Sequence, residues 1–277
     1  MEVAERIGAE ILSVDSMQVY RGMDIGTAKA DPAERRRVRH HMIDIVEPEK
    51  PFTVAEFRNE AREALETVTS DTVLIVGGSG LHFRAVVDAM TFRPSDPKVR
   101  REVSTEPTET LVAELLGADP SAGDHVDLSN PRRVRRSVES LRVAGLTPSV
   151  MAASPERQAF DAYVPELPFI GFGIDRPDAE STVSDRLARM RRRGLLDEVK
   201  HLAPRLGPTA SQAVGYRQLL DVVDGRCTED DGFVAAERAT MRLVKQQRTY
   251  FRRDPRLTWI SGSNEHVANL ICRRLEQ

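Results

Sequence analysis

The sequence predicts an α/β protein with a mostly parallel sheet flanked by helices. Short apolar runs at residues 11–14 and 72–76 have the length and composition of buried strands, and helix-length segments with an apolar face separate such runs. Between residues 91 and 164 these runs disappear, and short helices broken by Pro and Asp take over. We therefore predict an α/β core formed by residues 1–90 and 165–277, with residues 91–164 as a helical insertion.

The composition is that of an ordinary globular protein. The 277 residues are 40% hydrophobic and 30% charged with a net charge of -3, which indicates one or two domains and no overall basic field. No apolar run approaches the ~18 residues of a membrane helix, and the N-terminus lacks the apolar segment of a signal peptide. The two cysteines, Cys227 and Cys272, match no zinc spacing. We expect a cytoplasmic protein with no membrane partner.

Caps and apolar runs predict the elements of the chain. Thr53 with Glu56 three residues later, for example, is typical of a capping box at a helix start. The first part predicts a helix over 2–8, a strand over 11–14, a helix over 33–39, a strand over 40–46, a helix over 54–68, a buried strand over 72–76 and a helix over 81–90. The last part predicts a strand over 167–174, a long helix over 179–202, a loop over 211–217 that opens a helix, a basic helix over 229–252, a strand over 257–260 and a helix over 265–275.

Asp15 is the first candidate site residue. It follows the apolar run 11–14 directly, and a polar segment with several glycines comes after it. In α/β enzymes, side chains at the carboxyl ends of parallel strands form the site. The alternative is structural, because an acidic residue at a strand end also serves as a cap or an ion-pair partner.

The turn formed by Gly77, Gly78, Ser79 and Gly80 is a candidate anion site. It lies between a predicted strand and a predicted helix, where backbone N–H groups and the helix dipole both favour negative charge. A tight strand-to-helix turn that binds nothing would also use these glycines, so the pattern alone leaves both interpretations open.

A basic helix start lies within the insertion. Asn130 and Pro131 predict the cap and first residue of a helix, and Val134, Val138 and Leu141 form its apolar stripe. Four arginines flank this stripe: Arg132, Arg133, Arg135 and Arg136. A solvated basic face and a phosphate-binding face are equally compatible with this pattern.

Other polar and aromatic residues have simpler explanations. His40 and His41 are adjacent, but no third ligand lies at a useful spacing, so a structural role is favoured over a metal site. Tyr216 and Phe251 are more often core residues than base-stacking ones.

Residues 14–29 (VDSMQVYRGMDIGTAK) closely resemble the signature of the tRNA dimethylallyltransferases. The resemblance continues in the right order over nearly the whole chain. Its later motifs are residues 40–44 (HHMID), 76–81 (VGGSGL), 130–133 (NPRR), Arg186 with Met190 and Gly194, residues 214–217 (VGYR), and residues 245–247 (KQQ) with Phe251 and Arg252. Each later motif is weak alone, whereas the first motif and the common order make the resemblance specific.

The resemblance implies a P-loop-NTPase-like α/β fold and a prenyl transfer. Enzymes of this family transfer a dimethylallyl group from dimethylallyl diphosphate to N6 of adenosine 37, beside the anticodon of tRNA. The adenine amine must lose a proton as it attacks, and Asp15 matches the family's proton acceptor. The partners implied are the tRNA anticodon stem-loop and dimethylallyl diphosphate, with Mg²⁺ as cofactor and a monomeric enzyme. The base must leave its stack to reach the site.

The family's functional segments map onto named residues of this chain. Arg186 matches its pyrophosphate-side arginine, and we group Gly77, Gly78, Ser79 and Gly80 with it as diphosphate-binding. The residues that match tRNA-contacting segments are Asp15, Ser16, Met17, Gln18, Arg132, Arg133, Val134, Arg135, Arg136, Gln212, Ala213, Val214, Gly215, Tyr216 and Arg217.

The sequence also departs from the family. The family begins with a strand and a G-x-x-x-x-G-K-[ST] loop that holds the diphosphate and helps to place Mg²⁺, but this sequence contains no Gly-Lys pair. We therefore expect a truncated chain or a start codon assigned too late, with impaired activity of the chain as it stands. Smaller departures are Ser79 for threonine, His82 for tyrosine and Gln246 for arginine.

Two alternatives to tRNA prenylation remain at this point. One is an adenylate isopentenyltransferase acting on free AMP or ADP, which would not need the basic insertion. The other is a degenerate tRNA-binding protein without catalysis, which would bind tRNA in a salt-dependent way.

Overall fold

A computed structural model describes residues 1–176, 178–262 and 264–275, and these divide into two compact units. The larger unit combines Met1–Val86 with Phe169–Gln277, and the smaller unit is Val87–Pro168. The helical insertion predicted over residues 91–164 lies within the limits of the smaller unit.

The described residues form five strands and fifteen α-helices. The first stretch contains α1 (Glu2–Ile7), β1 (Glu10–Ser13), α2 (Pro32–Arg37), β2 (His40–His41), α3 (Val54–Glu66), β3 (Val73–Val76) and α4 (Gly80–Val87). The smaller unit continues with α5 (Pro97–Thr105), α6 (Thr108–Ala118), α7 (Ala122–His125), α8 (Pro131–Ala144), α9 (Pro148–Ala152) and α10 (Pro155–Asp161). The last stretch contains β4 (Gly171–Asp175), α11 (Ala179–Arg192), α12 (Leu195–Leu202), α13 (Tyr216–Val223), α14 (Glu229–Phe251), β5 (Leu257–Ser261) and α15 (Asn264–Leu275), with short 3-10 turns at Ala203–Arg205 and Ala210–Gln212.

All strand pairs in the named sheets are parallel, as predicted, but they form two sheets. In the first sheet β1 lies between β2 and β3, and in the second β4 pairs with β5. Ser13 and Val76 are register partners at the ends of β1 and β3. The segments that follow these two strands therefore leave the sheet side by side, which brings the two candidate loops to one edge.

Two strand predictions need correction. The run 72–76 was predicted to be a buried strand, but Val73, Leu74 and Ile75 are half-buried and Val76 is 50% exposed. The reason is that β3 lies at the edge of its sheet and pairs only with β1 among the described residues. The strand predicted over 40–46 ends at residue 41, because Met42 and Asp44 have φ angles of 64° and 57°, which do not continue a strand.

The long helix predicted over residues 179–202 is also wrong in one respect. It is interrupted at Gly194, whose φ of 91° ends α11 and precedes α12. Each half still presents the predicted apolar face, with Val183 and Met190 buried on α11 and Leu195 and Val199 buried on α12. The break turns α12 into a separate element, which later carries a carboxylate to the candidate site.

The predicted helix caps are confirmed. The Thr53 backbone N–H donates to Glu56 Oε2 (2.7 Å), and the Glu56 N–H donates to Thr53 Oγ1 (3.2 Å) at the start of α3. Asn130 Oδ1 accepts from the Arg133 N–H (3.3 Å) at the start of α8, where Pro131 is the first helical residue. These caps stabilise helix ends by satisfying N–H groups that have no partner within the helix.

The smaller unit has its own apolar core, between α5, α6 and α8. Val134 and Val138 are fully buried there against Leu111 and Leu115, as the apolar stripe of α8 predicts. No helix of the described residues is long and apolar enough to cross a membrane.

Candidate active site

Two loops meet at the edge of the first sheet, one after β1 and one after β3. The Val14 N–H donates to the Val76 carbonyl (2.7 Å), and the Ser79 N–H donates to the Val14 carbonyl (3.4 Å). The Ser16 N–H donates to Ser79 Oγ (3.2 Å). A Cβ on Gly77 would lie 2.0 Å from the Val14 carbonyl oxygen, so only glycine permits this approach. The backbone of the glycine turn therefore holds the segment that carries Asp15.

Asp15 is half-buried and is fixed through one oxygen only. Its Oδ1 accepts from the backbone N–H groups of Met17 (2.8 Å) and Gln18 (3.4 Å), which is the geometry of an Asx turn. Within the described part of the chain, Oδ2 accepts no hydrogen bond. The carboxylate is thus oriented by its own loop and keeps one oxygen available to accept a proton.

Arg186 on α11 interacts electrostatically with Asp15. The Arg186 side chain is exposed to solvent in part. Desolvation by the surrounding protein lowers the pKa of its guanidinium, and the positive charge of Arg189 lowers it further. The negative charge of Asp15 acts in the opposite direction on the same pKa. An arginine remains protonated under such conditions. The two predicted catalytic residues are therefore brought within range of each other.

Gln18 joins the two ends of the signature loop, residues 15–29. Its Oε1 accepts from Ser13 Oγ (2.8 Å), and its Nε2 donates to the Thr27 carbonyl (3.1 Å). One end of the side-chain amide is therefore engaged by the last residue of β1 and the other by the loop itself. The side chain of Gln18 consequently stabilises the loop. Only the exposed part of this half-buried residue can make its predicted contact with RNA.

Lys29 fixes the far end of the signature loop from within the protein. Its side chain is 1% exposed, and Nζ donates to Asp24 Oδ1 (2.8 Å), Asp44 Oδ1 (2.6 Å) and the Tyr20 carbonyl (2.5 Å). Arg35 also donates to Asp44 (2.6 Å). Burial alone would raise the pKa of Asp44, but the hydrogen bonds from Lys29 and Arg35 outweigh it and lower that pKa.

Glu198 on α12 holds the middle of the same loop. Its Oε2 accepts from the N–H groups of Asp24 (3.0 Å) and Ile25 (2.8 Å), and its Oε1 accepts from that of Gly26 (3.1 Å). The Tyr216 hydroxyl also donates to Oε1 (2.5 Å). Sequence reasoning missed Glu198, because an acidic residue within a charged helical stretch looks like part of a solvated face.

Tyr216 needs a correction as an RNA-contacting side chain. It is fully buried, and a Cβ on Gly26 would lie 2.4 Å from its ring. Burial first, and then the charge of Glu198, raise the pKa of the phenol, so Tyr216 stays a neutral donor. Its neighbours Ala213 and Gly215 are buried too, and Val214 is half-buried.

Of the segment 212–217, only Gln212 and Arg217 present exposed side chains. In the described structure neither side chain makes a hydrogen bond or ion pair within the protein. These two residues are the ones that remain available to a ligand.

The basic start of α8 divides in a similar way. Arg132 and Arg133 are exposed, and within the described residues their side chains make no hydrogen bond or ion pair. Val134 is fully buried, which corrects its prediction as an RNA contact because its side chain belongs to the core of the smaller unit. Arg135 is half-buried, and its Nε has no partner in the described structure.

Arg136 is committed to the protein. Its guanidinium donates to the carbonyls of Arg93 (2.5 Å) and Pro94 (3.0 Å) and pairs with the buried Glu139 (2.8 Å). Ser95 Oγ donates to the same carboxylate (2.6 Å). These contacts fasten the segment before α5 to α8, so Arg136 has a structural role that its sequence position does not reveal.

The glycine turn is covered by α14. A Cβ on Gly78 would lie 2.2 Å from Gln247 Nε2, and a Cβ on Gly80 would lie 2.2 Å from the Tyr250 ring. The Ser79 N–H already donates to the Val14 carbonyl. The glycines are thus explained by close packing, and anion binding at this turn stays a prediction.

Two histidines of the larger unit, His41 and His82, serve ion pairing and packing. His41 Nε2 lies 2.6 Å from Glu10 Oε2 in a buried pair, and hydrogen bonds from His41 and then Thr69 lower the pKa of Glu10 to about 2. His82 packs edge-to-face on Phe57 with ring centroids 4.8 Å apart, and burial lowers its pKa to about 4. The described residues contain no group of three or more His, Cys, Asp or Glu side chains that could hold a metal ion.

Comparison with known proteins gives a consistent result. Residues 18–254 match the family model described as IPP transferase. The tRNA dimethylallyltransferase of Acidothermus cellulolyticus is 39% identical over 100% of this chain and 88% of that protein. The tRNA dimethylallyltransferase of Streptomyces griseus is 38% identical over 99% of this chain and 88% of that protein.

Solved structures agree with the sequence matches. The full-length tRNA isopentenylpyrophosphate transferase of Bacillus halodurans is 28% identical with a TM-score of 0.70, covering 99% of this chain and 89% of that chain. A eukaryotic dimethylallyltransferase acting on tRNA is 18% identical with a TM-score of 0.77, covering 99% of this chain and 73% of that chain, and shares the fold. The predicted P-loop-NTPase-like α/β fold is confirmed. From the family model and the near-full-length relatives together, we conclude that the chain belongs to the IPP transferase family.

Proposed function

We propose that this protein transfers a dimethylallyl group from dimethylallyl diphosphate to N6 of adenosine 37 in tRNA. The observation that carries the proposal is the Asp15 carboxylate, whose Oδ1 is fixed by Met17 and Gln18 while Oδ2 accepts no hydrogen bond within the described residues. A carboxylate held in this way at a strand end is suited to general base catalysis. The names of the relatives support the same reaction.

The proposed step is a substitution at the allylic carbon. N6 of adenine forms a bond to C1 of the dimethylallyl group, the C1–O bond breaks, and the diphosphate leaves with the electron pair. The N6 proton passes to Asp15 Oδ2. Arg186 would stabilise the charge that builds on the leaving diphosphate, because a guanidinium binds phosphate oxygens in a fixed, bidentate geometry. The position of Arg186 within the electrostatic reach of Asp15 supports this division of roles.

Contacts with RNA are proposed for the exposed basic and polar side chains. In the smaller unit these are Arg132 and Arg133, and in the larger unit they are Gln212 and Arg217. Arginine contacts with phosphates position an RNA and make its binding salt-dependent, but carry little sequence information. The flipped adenine would then be presented to the half-buried segment Asp15 to Gln18.

Mg²⁺ would enter with the diphosphate. Such an ion is bound mainly by substrate phosphates and needs only one or two oxygens from the protein. The hydroxyls of Ser16 and Ser79 lie 3.4 Å apart beside the glycine turn and are suitable donors. When bound, the ion neutralises charge on the leaving diphosphate. A monomer acting on tRNA in the cytoplasm is the simplest setting for this activity.

The test is a transfer assay with defined acceptors. Because the sequence has no G-x-x-x-x-G-K-[ST] motif, two proteins are compared: the chain itself, and a fusion that places the strand and P-loop of a relative ahead of residue 1. Each is incubated with dimethylallyl diphosphate, Mg²⁺ and either tRNA or AMP, and nucleosides are analysed by mass spectrometry. We expect N6-dimethylallyladenosine in tRNA, made faster by the fusion.

Two outcomes would contradict the proposal. Prenylation of AMP but not of tRNA would identify an adenylate isopentenyltransferase. Salt-dependent tRNA binding without product from either protein would identify a non-catalytic tRNA-binding protein. Replacing Arg132 and Arg133 by Gln separates the first outcome further, because only a tRNA acceptor depends on them.

A further inference from the structure

Four hydrogen-bond donors from two distant parts of the chain converge on one carboxylate. Glu198 accepts from the N–H groups of Asp24, Ile25 and Gly26, at 2.8 to 3.1 Å, and from the Tyr216 hydroxyl. Successive backbone N–H groups that point to one place form an anion-binding concavity. Here the anion is supplied by the protein itself, from α12.

One side of this junction leads to Asp15. Gly26 is followed by Thr27, whose carbonyl accepts from Gln18 Nε2 (3.1 Å). The backbone N–H of Gln18 in turn donates to Asp15 Oδ1 (3.4 Å). The position of residues 24–26 therefore reaches the carboxylate through two hydrogen bonds of a single glutamine.

The other side of the junction leads to the 212–217 segment. Tyr216 is fully buried and begins α13, and its neighbour Arg217 is exposed. The ring of Tyr216 lies against Gly26 so closely that no other residue fits at position 26 without displacement. Glu198 and Tyr216 together thus connect the exposed Arg217 of the 212–217 segment to the signature loop, which carries Asp15.

We propose that Glu198 is a positioning residue that sets the orientation of Asp15 and of the 212–217 segment as one unit. This inference rests on the proposed function for its catalytic consequence, but not for its structural part. Glu198 does not touch the reacting atoms. It acts by holding residues 24–26 and Tyr216, so that an RNA bound at Arg217 meets a correctly placed carboxylate.

Hydrogen exchange tests the structural part without any activity. Glu198→Ala removes the acceptor. Asp197→Ala is the matched control, because Asp197 is the exposed neighbour of Glu198 on the same helix and, among the residues that the structure describes, pairs with Lys200 alone. We expect Glu198→Ala to raise amide exchange by about tenfold or more at residues 24–26, and also at 15–18 and 216–217. Asp197→Ala should leave all three segments unchanged. Faster exchange confined to residues 24–26 would overturn the proposed coupling.

Chemical rescue tests the catalytic part. In the P-loop fusion, Glu198→Ala is expected to lower kcat by about tenfold to a hundredfold through misplacement of Asp15, with the KM for dimethylallyl diphosphate unchanged. Formate, which can occupy the vacated site between the same donors, should restore part of kcat, whereas chloride should not. Glu198→Gln, which keeps the size of the side chain, guards against a simple folding defect.

The outcomes separate this inference from the proposed function. A wild-type fusion that makes no product would refute the proposed function, and the exchange experiment would still decide the positioning role. An active fusion in which Glu198→Ala and Glu198→Gln both keep the wild-type kcat would overturn the role of Glu198. So would a loss of kcat that formate does not relieve in a folded variant.

Discussion

The Met17 backbone N–H donates to Asp15 Oδ1 at 2.8 Å, across a single intervening residue. This bond fixes the carboxylate relative to its own loop, while the second oxygen accepts no hydrogen bond within the described residues. A proton acceptor needs this combination of fixed orientation and unoccupied lone pairs. The proposed transfer of the N6 proton depends on this arrangement.

The first prediction concerns the exposed arginines of α8. Arg132→Gln with Arg133→Gln should weaken tRNA binding and make the salt slope shallower by about 0.7 to 0.9 for each phosphate contact removed. Stability should change little, because neither side chain makes a hydrogen bond or ion pair within the described residues. The measurement is the tRNA Kd at several salt concentrations. Arg101→Gln, at an exposed position on α5, is the control.

Arg136 should behave in the opposite way, although it belongs to the same basic run. Arg136→Gln removes its bonds to two backbone carbonyls and leaves the buried Glu139 with fewer partners. We expect a loss of about 1 to 3 kcal/mol in the free energy of unfolding, measured by urea. If the variant unfolds like the wild type but binds tRNA more weakly, Arg136 contacts RNA and does not have the structural role assigned to it.

The second prediction concerns the buried ammonium of Lys29. Lys29→Met leaves Asp44 and the exposed Asp24 without their shared cation, and the loss of hydrogen bonds to charged groups costs about 1.5 to 3 kcal/mol. Arg35 remains beside Asp44 and should keep the loss at the lower end. Urea unfolding measures it. Lys50→Met, at an exposed lysine, should change the unfolding free energy little; equal effects of the two variants would contradict the account.

The third prediction is a pH dependence that arises from His82. Burial lowers its pKa to about 4 from an ordinary value of 6.5, so the native protein holds the neutral ring. Between pH 6.5 and 4 the unfolded chain binds a proton that the native chain does not. Stability therefore falls as the pH falls through this window, by at most about 1.4 kcal/mol per pH unit, and is unaffected above it.

His82→Phe keeps the aromatic contact with Phe57 and removes the titrating group. Urea unfolding between pH 7 and pH 5 should show a shallower loss of stability for the variant than for the wild type. Parallel pH profiles for the two proteins would show that His82 titrates in the native state as it does in the unfolded chain.

Local sequence patterns predicted the parts of the structure that depend on residues close together in the sequence. The capping box of Thr53 and Glu56, the start of α8 at Pro131 and the placement of Asp15 after β1 all follow from a few adjacent residues. The break at Gly194 is of the same local kind, but one glycine within an otherwise helical pattern predicts a break only weakly.

The parts that were missed depend on contacts between distant segments. Glu198 binds residues more than 170 positions away, and Arg136 binds carbonyls more than 40 positions away. The sequence does not reveal these partners, because nearly every residue carries a backbone carbonyl and N–H group, and only the fold determines which of them lie near a given side chain. The burial of Val76 was predicted wrongly for a related reason, because apolar composition does not distinguish a central strand from an edge strand.

The most direct measurement is the transfer rate of Asp15→Asn in the P-loop fusion. Asparagine keeps the size of the side chain and can still accept from Met17, but its amide cannot take a proton from adenine. We predict a fall in kcat of about a hundredfold to ten-thousandfold, with the tRNA Kd within about threefold of wild type because phosphate contacts dominate affinity. Asp71→Asn, at an exposed carboxylate before β3, should keep full activity. An Asp15→Asn enzyme that transfers the dimethylallyl group at the wild-type rate would contradict the central claim.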